Sequence, residues 1–222
     1  MASSAPNPWL DWGYVRDNRQ DILTALEHHV TLTLEAVVVA TVLAVPLAVL
    51  AQRSRWLRGP LLGISGVLYT VPSLALFAVL APFTGIGAKT VLIGLVMYAL
   101  LILVRNTLVG LDGVSGDVRE AAQGMGYGRL RLLLGVELPI ALPAIMTGIR
   151  LATVSTVALV TVGWVVGYGG LGQLILRGFN DNFYRAEITT ASLLCVALAL
   201  VLDALLLLAT RLLAPWARGR SV

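Results

Sequence analysis

From residue 30 onward, long uncharged apolar runs alternate with short polar connections, and the run lengths predict membrane-spanning helices. A helix rises about 1.5 Å per residue, so about 20 mainly apolar residues cross the hydrocarbon of a bilayer. Five runs meet that length. The first covers residues 30–51, with Glu35 as its one charge. The second lies between Arg58 and Lys89 and contains Pro72, which is expected to kink a helix in mid-span. The third covers 90–111 and carries Arg105 and Asn106 in its last third. The fourth covers 144–166 with Arg150 near its start, and the fifth covers 188–213 with Asp203 and Arg211 late. The expected fold class is therefore all-α, a polytopic bundle of five transmembrane helices.

Basic residues set the orientation, because loops on the inner side of a membrane retain more Lys and Arg. With the N-terminus outside, the inner side holds Arg53, Arg55, Arg58, Arg105, Arg119, Arg129, Arg131, Arg150, Arg211, Arg218 and Arg220. The outer side then holds Arg16, Arg19, Lys89, Arg177 and Arg185. The imbalance predicts N-out, C-in. Trp56 and Trp216 fall near span ends at the inner face, where indole rings favour the interface. Residues 1–28 mix acidic and basic groups with Trp9, Trp12, Tyr14, Ile22, Leu23 and Leu26, the pattern of an amphipathic helix on the outer surface. No basic stretch leads into an apolar one there, so no cleaved signal is expected. Three regions follow: the extracytoplasmic segment 1–28, a transmembrane domain over 29–213, and a cytoplasmic tail over 214–222.

Composition agrees with lipid as the main solvent. Hydrophobic residues make up 58% of the chain and charged residues 13%, with a mean hydropathy of +0.86. The net charge of +4 comes from arginines spread between apolar runs, which argues for topology rather than nucleic acid. Cys195 stands alone in an apolar run and forms neither a disulfide nor a metal site. His28 and His29 are adjacent and outside the apolar runs, and no Ser/His, Cys/His or metal-ligand spacing lies within the spans. A membrane enzyme is disfavoured, and no cofactor is expected. Glu35 and Asp203 are left without a role, while Arg105, Arg150 and Arg211 read as interfacial anchors whose long side chains reach water.

The longest connection, residues 112–139, carries two short helical patterns. Asp117 is placed to cap the first, over Val118, Ala121 and Ala122. Gly124, Gly126 and Gly128 break the chain. The second pattern holds Leu130, Leu133 and Leu134 on one face, and Pro139 and Pro143 are expected to end it. A helical hairpin projecting inward gives a partner something to grip, which a small channel or a secondary transporter does not require.

Glu120-Ala121-Ala122, three residues, Gly126, nine residues, Val136, one residue, then Leu138-Pro139 resembles the EAA loop of ABC importer permeases. The one departure is Val136 where that pattern has Ile. The chain is also similar to the osmoprotectant branch through 71–76, Arg105-Asn106-Thr107, Leu142-Pro143, Gly148-Ile149-Arg150 and Gly169-Gly170-Leu171-Gly172, with Tyr168 standing where a small residue is expected. The resemblance implies a type I ABC importer permease with the methionine-importer-like five-span fold, residing in the bacterial cytoplasmic membrane. It implies docking of Glu120, Ala121 and Ala122 on a cytoplasmic ATPase dimer, with the turn at Gly126. It further implies pairing with a second permease, identical or related, and delivery of glycine betaine, choline, carnitine or related amines by an extracytoplasmic binding protein. A methionine-importer permease is the alternative. The chain lacks a phosphate-binding Gly-x-x-x-x-Gly-Lys-[Ser/Thr] loop, so ATP is expected on the separate ATPase. Pro72, Ser73, Trp164 and Tyr168 are candidates for the translocation path, the two aromatics because a π face attracts a quaternary ammonium.

Overall fold

The computed structural model describes residues 7–216, apart from the side chain of Arg55. Arg218 and Arg220, counted above in setting the orientation, lie outside the described residues. Ten α-helices occur among those described: α1 (Trp12–Asp17), α2 (Arg19–Arg53), α3 (Arg55–Thr70), α4 (Ser73–Thr84), α5 (Ala88–Asp112), α6 (Gly116–Gly124), α7 (Arg129–Leu132), α8 (Leu138–Val160), α9 (Leu171–Asn180) and α10 (Arg185–Leu213). A π-helical turn (Leu133–Glu137) joins α7 to α8, and a 3-10 segment (Thr161–Val166) continues α8. Four helical stretches are long and apolar enough to cross a membrane, and five if α3 and α4 count as one broken span.

Three expectations are corrected at the level of elements. Residues 19–29 do not form a separate surface helix; they are the first turns of the 35-residue α2. No glycine or proline interrupts residues 19–45, so the helix runs straight into the apolar stretch. Pro72 does not kink a continuous span. It ends one helix and caps the next, at φ −58° and ψ 133°, and α3 and α4 meet at a 101° bend. A proline lacks the N–H needed in a helix interior and drives the residue before it out of the α region, so the break falls here. Pro139 and Pro143, by contrast, end nothing: both lie inside α8. The π turn just upstream bonds the Leu138 N–H to the Leu133 carbonyl and widens the helix before Pro139. Such a bulge absorbs the lost hydrogen bond without breaking the rod.

The chain divides into two compact units. One gathers α1, α2 as far as Ala36, 71–95 and 155–201. Its apolar core joins Tyr14, Ile22 and Ala25 with Leu171, Leu174, Ala186 and Ala191. Within it α4 packs on the 3-10 segment, as does α9. The other unit holds 37–70, 96–154 and the chain from Leu202. Its α2 portion presents Ala40, Ala44, Ala48 and Ala51 as a fully buried row. Small residues three or four apart on one face let another helix approach closely, which in lipid is a main source of association. Gly110 serves the same end: a Cβ there would lie 2.8 Å from the Ala141 carbonyl oxygen. Leu193, Val196, Leu200, Leu205 and Leu208 of α10 are exposed, as lipid-facing side chains require.

Candidate functional site: the loop between α5 and α8

The first helix of the loop, α6, starts at Ser115, whose hydroxyl accepts a long 3.4 Å bond from the Val118 N–H. Ser115 is thus the cap, and Asp117, assigned that role from the sequence, sits in the first turn instead. There its charge still favours the positive end of the helix dipole. Helix-forming Arg119, Glu120, Ala121, Ala122 and Gln123 sustain the turns. The end is a Schellman motif: the Tyr127 N–H bonds the Ala122 carbonyl and the Gly126 N–H bonds the Gln123 carbonyl. The motif puts its penultimate residue in the left-handed region, and Gly126 has φ +84°. The space around a Cβ at Gly126 is open, so backbone conformation alone demands glycine there.

The motif residues divide in two. Glu120 and Ala121 are exposed, beside Met125 at 70% exposure, Leu130 at 68% and Leu134 at 58%. Ala122 does not share that face: it is 2% exposed, turned into the chain. Val136, Leu138 and Pro139 are half-buried at the π turn and the start of α8, where they position the helix rather than offer a surface. Of the helical pattern read over 130–134, Leu132 is the buried member, not Leu133 or Leu134. Arg131 lies over the Tyr127 ring, 4.3 Å from its centroid.

Side-chain ties hold this region. Arg119 donates from Nε to Glu137 Oε1 at 2.8 Å and from Nη2 to the Leu111 carbonyl at 2.8 Å. Arg58 pairs with Asp112 at 2.7 Å, on the surface. Arg150 and Asp203 form a two-pronged pair, at 2.9 and 2.8 Å, between α8 and α10. Arg150, expected from the sequence to be an interfacial anchor, and Asp203, to which the sequence assigns no role, are each other's partner. Opposite charges in two separate apolar runs were the available signal.

The path candidates lie in the other unit. Pro72 is exposed at the α3–α4 break, while Ser73, Trp164 and Tyr168 are half-buried. The Tyr168 ring stacks beside His28 with centroids 4.9 Å apart. His29, unremarkable in sequence, is fully buried. The Leu171 N–H donates to its Nδ1 at 3.3 Å, so the ring proton resides on Nε2 and is donated to the Val157 carbonyl at 3.0 Å. The glycines of 169–172 make this contact possible. A Cβ on Gly170 would lie 2.8 Å from His29 Cβ, one on Gly169 2.5 Å from the Trp164 nitrogen, and one on Gly172 would overlap the Thr161 carbonyl. Further along α9, Arg177 bonds Glu187 at 2.5 Å and Asp21 at 3.1 Å. Burial disfavours the charge on Arg177, but its bonds to buried Glu187 and to Asp21, with the Glu187 charge, outweigh that and hold its pKa above the ordinary arginine value. Asp21 faces a cavity of about 340 Å³ shared with Thr24, His28 and Gln173, so its arm is solvated and adds little.

Residues 40–219 match the family described as the inner membrane component of binding-protein-dependent transport systems. The chain belongs to this family. It is a membrane-embedded transport component, an ABC importer permease. It is similar to the osmoprotectant import permease protein OsmW of Salmonella typhimurium, at 39% identity over 87% of this chain and 92% of that protein. The carnitine transport permease protein OpuCB of Listeria monocytogenes is 37% identical, covering 86% and 87%. The choline transport system permease protein OpuBB of Bacillus subtilis is 34% identical, covering 91% and 93%. Among solved structures, the fold is that of a chain of the inward-facing MetNI methionine ABC transporter, with TM-score 0.79, 20% identity, and coverage of 89% of this chain and 98% of that one.

Proposed function

We propose that this permease carries small quaternary amines of the osmoprotectant class, such as glycine betaine, choline or carnitine, inward across the membrane. Support comes from similarity, over 86–91% of this chain, to three permeases named for osmoprotectant, carnitine and choline transport. The likeness to a methionine transporter lies at 20% identity and speaks for the fold alone. The orientation is N-out, C-in, which places 112–139 in the cytoplasm. There the exposed Glu120–Ala121 face, set by the Schellman turn at Gly126, docks on a separate ATPase subunit that binds and hydrolyses ATP. The observation that carries this reading is that face: an exposed carboxylate beside a small residue, flanked by exposed Met125, Leu130 and Leu134. A second permease completes the pathway, and an extracytoplasmic protein delivers the substrate. Pro72, Ser73, Trp164 and Tyr168 line the route, the aromatic faces suited to a passing cation.

Uptake into proteoliposomes containing the permease, its ATPase and its binding protein tests the assignment. Labelled glycine betaine or choline should accumulate on ATP addition, with unlabelled methionine a poor competitor. Selective uptake of methionine would overturn the substrate class. Labelling of Ser115→Cys from outside intact cells, in a Cys195→Ala background, would overturn the orientation and the docking role with it.

A further inference from the structure

Helix α6 has few holds on its own chain. Of its nine residues only Ala122 is buried, and the connections at its ends contain Gly113 on one side and Gly126 and Gly128 on the other. A short helix on two glycine-bearing links swivels under load unless something crosses from it to the helices it joins. Arg119 makes that crossing. Its guanidinium projects from α6 away from exposed Glu120 and Ala121. It donates to the Leu111 carbonyl, in the last turn of α5, and to Glu137, in the π turn that opens α8. The Leu111 carbonyl, at the end of α5, has no partner within that helix; beside Arg119 it takes only a longer 3.3 Å bond from the Val114 N–H. The Glu137 side chain is 7% exposed and that of Arg119 28%, so water competes weakly for these bonds. Guanidinium donors diverge in a fixed plane, and a single ammonium cannot reproduce two directed bonds of this kind.

We infer that Arg119, seated by Glu137, is a positioning residue for coupling: it fastens α6 to both flanking spans so that displacement of the docked helix moves α5 and α8 instead of being lost at the glycines. The inference rests on the docking role proposed for α6. It separates Arg119 from the docking surface, since loss of its bonds should leave the ATPase attached and active while transport per ATP declines.

The test uses the complete complex of permease, native ATPase and binding protein in proteoliposomes, with glycine betaine as probe. Arg119→Met keeps the length of the side chain and removes both bonds. Retained ATPase, turnover close to wild type and a fall of about tenfold in betaine moved per ATP are expected, the size set by two charge-assisted bonds. Arg119→Lys should restore part of the ratio. Glu137→Gln, whose amide oxygen still accepts from Nε, should fall less than Arg119→Met. Should Arg119→Met insert poorly, Glu137→Gln and Arg119→Lys carry the test. An unchanged ratio in all three would overturn the inference. So would dissociation of the ATPase, which would place Arg119 in the docking contact instead. A second readout is independent of what is carried. Nitroxides at Gln123→Cys on α6 and Val109→Cys on α5, in a Cys195→Ala background, should give a narrow distance distribution with or without trapped nucleotide. Arg119→Met should broaden it, and an equally narrow distribution would count against the tie. A wild-type complex that retains and drives its ATPase yet moves no betaine overturns the substrate class, with the distance measurement still deciding the tie.

Discussion

The glycine turn at 169–172 and the α6 loop use the same residue types for opposite purposes. In the turn, glycines remove side chains so that backbones meet: Gly170 lies against His29, Gly172 against Thr161 and Gly169 against Trp164. In the loop, Gly126 is surrounded by open space and serves only its left-handed φ. The arginines follow suit. Arg177 reaches buried Glu187 and solvated Asp21 in a unit that already has an apolar core around Leu171 and Leu174. Arg119 ties a helix with almost no core of its own. Close packing holds the first region, whereas in the second a guanidinium crosses from α6 to both neighbouring helices. The docking role proposed for α6 accounts for this, since a surface that another subunit grips has to stay exposed and cannot also be buried for stability.

The comparison predicts the largest effect at Gly172. Gly172→Ala forces a methyl group into the Thr161 carbonyl, where only backbone movement makes room. We expect little folded permease in membranes, measured by detergent-extractable yield. A normal yield would mean the turn is not steric in origin. Removing one member of the Arg150–Asp203 pair comes next. Arg150→Ala strands a carboxylate within α10, and yield should fall several-fold. Arg150→Ala/Asp203→Ala should recover most of it, because a stranded charge costs more than the absent pair. Thermal inactivation of the purified complex would show whether the double variant indeed lies above both singles.

Glu187→Gln is smaller, at about 2 kcal/mol, through the weakened bond to Arg177. Its thermal midpoint should drop while betaine moved per ATP stays constant, the reverse of the pattern expected for Arg119. Gly126→Ala strains a left-handed backbone by about 1–2 kcal/mol and leaves the fold in place. Its effect should appear in transport, since the Schellman turn that sets the α6 face is disturbed. Full transport in Gly126→Ala would show that the loop tolerates a different turn. The smallest effect is Tyr14→Phe. The Tyr14 hydroxyl is buried beside Glu187 without a hydrogen bond of good geometry, and burial, then that carboxylate, push its pKa from 10 to about 12. At neutral pH it is protonated in both folded and unfolded chain, so Tyr14→Phe should change stability by less than about 0.5 kcal/mol. Between pH 10 and 12 the unfolded chain loses this proton first, which destabilises the fold. Tyr14→Phe should remove that component of alkaline melting, and an unchanged melting curve over this window would show that Tyr14 does not supply it.

The sequence by itself determined the class of the molecule. Run length and the scarcity of charge specify membrane helices, because a bilayer core accepts little else. The spacing from Glu120 to Pro139 marked the loop, and Gly126 announced a turn whose chemistry only glycine satisfies comfortably. Helix interruption was not legible in the same way. Pro72 falls at a break while Pro139 and Pro143 do not, and neither do Pro46, Pro60 and Pro82, which lie inside α2, α3 and α4, so a proline in the sequence does not by itself mark where a helix ends. Burial of Ala122, the neutral tautomer of His29, and the pairings of Arg119, Arg150 and Arg177 were decided only by tertiary structure. Each joins residues at least eight apart in the chain or depends on which side of a helix faces inward. A one-dimensional pattern records which groups are costly in lipid or in a core. Only the packed chain decides which group answers them.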